Sequence, residues 1–171
     1  DSDTLEIRKL LIESDKVEAI IVLPRNMFYS TDISVTLWIL NNNKKGGPWH
    51  GRQLRNRTGE ILFIDLRTWN SNIYEKKYVR LTEADIDRVR QIYFNWQTEN
   101  FVEYAEPELY YAAHRDEIQG KGYSLVPSRY IEFIDRDTEI DYQSALSEMS
   151  DKFNALKKLV NAFKILGYGK E

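Results

Sequence analysis

The chain has 171 residues, a formal net charge of −3, 42% hydrophobic and 30% charged residues, and no cysteine. That suits one domain, or one small lobe with an extension, burying roughly 70% of its unfolded surface. It excludes disulfides and thiolate metal sites, and with His50 and His114 as the only histidines no metal site is expected; no apolar run approaches the ~20 residues that span a bilayer and no charged-then-apolar N-terminal signal is present, so a cytoplasmic protein is expected.

In chain order, Asp3 or Thr4 can cap a first helix with Leu5, Leu10 and Leu11 on its apolar face, ending near Ser14-Asp15. Val17 to Leu23 is a nearly continuous apolar run, as a strand covered on both faces requires. A short loop then shows Met27, Phe28 and Tyr29. Ile33 to Leu40, β-branched and aromatic, predicts a second strand. Asn41 to Gly59 predicts a long loop, broken at Gly46-Gly47-Pro48. Ile61 to Leu66 predicts a third strand, expected to pair antiparallel with the second. Thr82 to Gln97 predicts a helix whose opening Thr82-Glu83-Ala84-Asp85 resembles a capping box, with Asp in place of the usual Glu. Ile86, Val89, Tyr93 and Trp96 line its apolar face. Pro107 suits a helix first turn, and a helix is expected from there to about Ile118, broken by Gly120-Lys121-Gly122. A last helix is expected from near Thr138 to Gly167. Along it Tyr142, Leu146, Met149, Phe153, Leu156, Val160 and Phe163 recur in steps of four and three, an apolar seam that needs a partner surface. That partner is either the chain's own helices or a neighbouring subunit.

The charge is unevenly placed. Between Ile33 and Gly59 there is no Asp or Glu, while Lys44, Lys45, Arg52, Arg55 and Arg57 give a local +5, leaving −8 on the rest of the chain. Such asymmetry points to a polyanion-facing patch in which cations neutralise phosphates and Trp49 or His50 stacks or wedges. A solvated, mobile loop is the alternative. Acidic pairs such as Asp85/Asp87 and Asp135/Asp137 read as helix caps and solvated faces, and no nucleophile-elbow context exists.

Several stretches together carry a family resemblance. They are Val17-Glu18-Ala19-Ile20-Ile21, Leu23-Pro24, Phe28-Tyr29-Ser30-Thr31, Leu37 to Leu40 and Asn43-Lys44. Glu60 to Arg67, Leu81 to Ile86 and Tyr123 to Tyr130 extend the match. In order and spacing they resemble the later part of the catalytic domain of adenine-N6 DNA methyltransferases, above all the methylation (M) subunit of type I restriction-modification systems.

The resemblance implies an α/β fold: the C-terminal part of a Rossmann-like methyltransferase sheet, about three strands with the last two antiparallel, followed by a helical extension. Residues 1–80 would close the catalytic domain and 81–171 form the extension. The parent would transfer a methyl group from S-adenosylmethionine to adenine N6. Its partners would be double-stranded DNA and the specificity and restriction subunits of the same system. The family places an aromatic on the loop before this strand to stack the extruded base, and Phe28 aligns best with it, Tyr29 being the rival. Plugging the core at a strand end is the other reading of Phe28. Lys44, Lys45, Trp49, Arg52, Arg55 and Arg57 would face DNA. Leu146, Met149, Phe153, Leu156, Val160 and Phe163 would dock a subunit.

The family's glycine-rich cofactor turn and its Asn-Pro-Pro-Phe/Tyr motif lie upstream of the matched region and do not occur here. The chain also begins at Asp1 without an initiator Met. It is therefore read as the C-terminal part of a larger subunit, with no catalytic, cofactor-binding or metal residue of its own and no activity alone. The rival reading is a self-contained DNA- or partner-binding module derived from the same fold. A fragment should bare a sheet edge and an apolar face, whereas a module should cover both. Asp65, Arg129 and Tyr130 match the family pattern without an assignable role.

Overall fold

A strand that is apolar on both faces needs cover on both sides, and Val17–Val22 (β1) receives it: all six of its residues are buried. The computed structural model describes residues 2–75, 77–135 and 142–165. It divides into two units, Asp1–Ile134 and Asp135–Glu171. The first holds helix α1 (Ser2–Glu13), β1, β2 (Thr36–Leu40), β3 (Gly47–Trp49), β4 (Arg52–Leu54), β5 (Glu60–Asp65), β6 (Ile73–Tyr74) and β7 (Tyr78–Val79). Helix α2 (Glu83–Thr98), β8 (Ala105–Glu106), β9 (Tyr110–His114), α3 (Arg115–Gly120) and a 3-10 turn at Pro127–Arg129 follow.

Among the described residues, five strands form the main sheet in the order β2-β1-β5-β9-β8. β1 and β5 run parallel, and the other neighbours are antiparallel. Each face of the sheet has its own apolar cluster. Ile12, Val17, Ile20, Phe63, Ile118 and Tyr130 belong to one, and Ala19, Ile21, Leu62, Ile64, Ile92 and Trp96 to the other. The register of β1 against β2 slips between Val17 and Ala19. This bulge leaves Glu18 as the extra residue, which is how a strand re-aims a side chain.

The α/β class stands, with local corrections. The second and third expected strands do not pair with each other: β1, buried on both faces, lies between them, while β2 with its exposed side chains takes the edge. The helix expected from Pro107 to Ile118 is a strand and then a short helix. β5 is also buried almost throughout, so its second edge needs hydrogen-bond partners. Tyr110–His114 supplies them, in register from Glu60↔His114 to Ile64↔Tyr110. The boundary expected near residue 80 therefore falls inside the first unit, and residues 81–134 build on the sheet rather than forming a purely helical extension. On α1, Ile12 is the buried residue and Leu10 points outward.

One expectation is met closely. α2 opens with a reciprocal capping box in which Thr82 Oγ1 accepts from the Asp85 backbone N–H while the Asp85 side chain accepts from the Thr82 N–H. Its expected apolar face holds in part: Trp96 is buried and Val89 and Tyr93 pack partly buried against the core, whereas Ile86 is exposed and Ile92 is buried in its stead.

The second unit contains α4 (Tyr142–Ile165). Leu146, Met149, Phe153, Leu156 and Val160 are exposed along it, and Lys152 Nζ donates to Glu148 Oε1 at 2.6 Å. The expected ends at Thr138 and Gly167 and the Phe163 side chain lie outside the described residues. No helix among the described residues is long and apolar enough to cross a membrane.

Candidate functional site

The register of β1 separates the residues singled out in the sequence into two groups. Phe28 and Tyr29 follow the carboxyl end of β1, beside the carboxyl end of the parallel β5, since Val22 pairs with Asp65. The 41–59 segment leaves β2 opposite Val17 and returns at Glu60. Both of its ends thus sit at the amino end of β1. A strand of six residues separates the two groups by about 20 Å.

At the carboxyl end, Leu23 and Pro24 are still buried and the chain then turns outward. Asn26 adopts φ 60°, a left-handed conformation that Asn tolerates better than most residues. Arg25 Nε donates to the Asp32 carbonyl at 3.1 Å across the loop, and Phe28 and Thr31 form an isolated bridge. Met27, not Phe28, packs against the core. Phe28 is 41% exposed and Tyr29 71%, so Phe28 does not plug the strand end.

Tyr29 is held by a hairpin for which no expectation was set by local pattern. The β6–β7 pair reaches the loop through the Val79 N–H, which donates to the Asn26 carbonyl at 2.9 Å. The Tyr29 and Tyr78 rings lie 4.4 Å apart, and Tyr29 Oη donates to Glu75 Oε2 at 3.4 Å. Between loop and hairpin is an open cleft of about 310 Å³ lined by Met27, Tyr29, Tyr74, Tyr78, Val79 and Arg80. Its sequence signal was two aromatic/β-branched pairs, Ile73-Tyr74 and Tyr78-Val79, on either side of a charged turn.

The amino end corrects the expectation of a +5 patch. Arg57 and Glu18 are both fully buried and paired, with Arg57 Nε 3.2 Å from Glu18 Oε1. The same oxygen accepts from Gln97 Nε2 at 3.1 Å and Tyr93 Oη at 3.3 Å. Burial, and then the Glu18 carboxylate, push the Tyr93 phenol pKa up. Lys44 is also buried; its Nζ donates to Asp15 Oδ1 and to the Val17 and Glu60 carbonyls at 2.6–2.9 Å. Arg55 forms a two-pronged pair with Glu60 at 2.7 and 2.8 Å. Burial pushes the Glu60 carboxyl up, but the Arg55 guanidinium and the Trp96 indole N–H outweigh it and hold that carboxyl below its ordinary value.

Lys44 and Arg57 are therefore buried counter-ions for carboxylates brought from other parts of the chain, and Arg55 is tied to its near neighbour Glu60. Lys45, Trp49, His50 and Arg52 remain exposed. The segment is also no plain loop: β3 and β4 form a hairpin whose two-residue turn, His50-Gly51, has φ 44° and 74°, as a type I′ turn requires.

The three residues left without a role have structural ones. Asp65 is buried; it accepts from the Arg67 backbone N–H at 3.0 Å and pairs with the Arg67 guanidinium at 2.6 Å. Tyr130 stacks on Phe63 at 4.2 Å, nearly parallel, and burial pushes its phenol up to about 12. Arg129 exchanges hydrogen bonds with Lys121.

Residues 2–139 match the family model described as N-6 DNA Methylase. The type I restriction enzyme MjaVII methylase subunit of Methanocaldococcus jannaschii is 29% identical over 95% of this chain and 25% of its own length. The HindI methylase subunit of Haemophilus influenzae is 33% identical over 74% of this chain and 26% of its own. The chain thus spans about a quarter of these relatives. Among solved structures, the type I methyltransferase subunit of Streptococcus thermophilus superposes with a TM-score of 0.57 at 24% identity, over 76% of this chain and 23% of that one. At that identity the likeness speaks to fold.

Proposed function

The chain belongs to the N-6 DNA methylase family, and on that premise we propose that it forms the closing part of the catalytic domain of a type I methylase subunit, together with its helical extension. The parent protein transfers a methyl group from S-adenosylmethionine to adenine N6 in DNA. The observation that carries this reading is the exposed Phe28 at the carboxyl end of β1. Open α/β sheets bind their ligands outside the carboxyl ends of their strands, and an extruded base needs an aromatic to stack on. Phe28 takes the base, while Tyr29, tied to Tyr78, braces the loop.

We assign no cofactor cradle to the described residues. The turn after β1 is filled by buried Leu23 and Pro24, and the acid that ends β5, Asp65, is occupied by Arg67. Methyl transfer is therefore assigned to the parent and not to this chain alone. The outer edge of β2, with Leu37, Trp38 and Leu40 exposed, supports a fragment over a self-contained module, which would cover it. We assign α4 to docking on the specificity subunit, place the restriction subunit in the same assembly, and take the setting to be cytoplasmic. Of the remaining basic residues, Lys45 and Arg52 with Trp49 can meet DNA only as a contact separate from the target base.

The test is Phe28→Ala in the complete methylase assembled with its specificity subunit. Losing a stacked base costs about 1–3 kcal/mol, so methylation should fall roughly 5- to 150-fold while the thermal midpoint stays put. Unchanged turnover would sink the assignment.

A further inference from the structure

The geometry points to a second ligand site, at the amino end of β1: a pocket that takes an unpaired nucleobase, either of a free nucleotide or of a single strand. The pocket measures about 380 Å³ and lies between the β3–β4 hairpin and α2, within the usual size range of small-molecule sites. Its walls divide by chemistry. Trp49, Tyr93 and Phe94 present aromatic surface, and Asn41, Asn43 and Gln97 present amides. No lining residue is charged. Aromatic faces stack any base, and Asn and Gln amides, which both donate and accept, match the edge of adenine in particular.

The pocket is built rather than incidental. The fully buried Glu18 accepts hydrogen bonds from both Gln97 and Tyr93, so two lining side chains are fixed from behind. The Asn43 N–H donates to Asn41 Oδ1 at 2.8 Å. Gly46 stands at φ 86°, where a Cβ would come within 2.5 Å of the Leu54 carbonyl oxygen; only glycine closes the hairpin base this tightly. Arg52, with its guanidinium carbon 4.1 Å from the Phe94 ring centroid, and exposed Lys45 supply cations to meet the phosphate attached to the base. The site does not depend on the Phe28 loop, which lies at the other end of β1.

Calorimetric titration of the 171-residue chain tests this, using AMP, a short single-stranded oligo(dA) and a duplex of the same length. Saturable binding of AMP is expected, at least tenfold weaker in Trp49→Ala and unchanged in Val102→Ala, a substitution at an exposed residue outside both sites. Tighter binding of the single strand than of AMP assigns the base to an unpaired strand, and equal affinity assigns a free nucleotide. Trp49 is exposed, so its variant should keep the circular dichroism spectrum; if it does not, Asn43→Ala serves instead. The inference is overturned if neither AMP nor the single strand saturates, if only the duplex binds, or if affinity survives the substitution in a folded variant.

Discussion

Arg57 shows how far a residue's job can lie from its apparent chemistry. Within its segment it is one of five unopposed cations; in the fold it is buried against Glu18, 39 positions away in sequence. Removing one member of a buried ion pair leaves the other charge uncompensated and typically costs 3–5 kcal/mol. Arg57→Ala should therefore lower unfolding stability by about that amount in urea, whereas Arg52→Ala, losing only an exposed cation–π contact with Phe94, should cost less than about 1 kcal/mol. Equal, small effects from the two variants would mean that Arg57 is not the structural cation described above. For the same reason, neutralising Arg55 or Arg57 is a poor probe of nucleic-acid contact, because a destabilised protein loses every activity together.

Among the elements, α4 and β9 mark two limits of periodicity. In α4 the three-and-four spacing is legible because a long helix repeats its signal, and the exposed side chains from Leu146 to Val160 form the expected seam. An exposed apolar stripe of that length calls for a partner. Substituting Phe153 and Leu156 with Asp should abolish co-purification of the complete methylase with its specificity subunit, while helical content by circular dichroism is retained. Intact co-purification would refute the docking role, and a collapse of the dichroism signal would place the seam in the protein's own core. β9 was illegible because Tyr110–His114 is too short to display a period, and the proline ahead of it favoured a helix start. Its strand conformation answers a need of β5, whose second edge had to be paired.

For the molecule as a whole, the outer edge of β2 is the consequential feature. Among the described residues, the outer edge of β2 has no strand beside it, and it is flanked by Leu37, Trp38 and Leu40, without the charges or prolines that usually blunt such edges. The isolated chain should consequently associate as its concentration rises. Trp38→Lys combined with Leu40→Lys should return it to monomer in sedimentation velocity runs, since edge lysines oppose strand addition. A chain that stays monomeric at every concentration, or variants that associate as readily, would show that the edge is already protected.

The order of residues by itself determined the features set by local patterns. These are the doubly buried β1, the reciprocal cap at Thr82, the seam of α4 and the aromatic loop after Pro24. Each rests on a period, a run or a spacing that a short window contains. Only the tertiary structure decided where long-range partners met. It put β1 between β2 and β5, turned Tyr110–His114 into a strand, and brought Glu18 to Arg57 and Asp15 to Lys44. It also set the basic segment and the Phe28 loop at opposite ends of one strand. The physical reason is that burial makes charge pairing and edge pairing obligatory, while the partners that satisfy them are chosen by the fold and lie far apart in the chain.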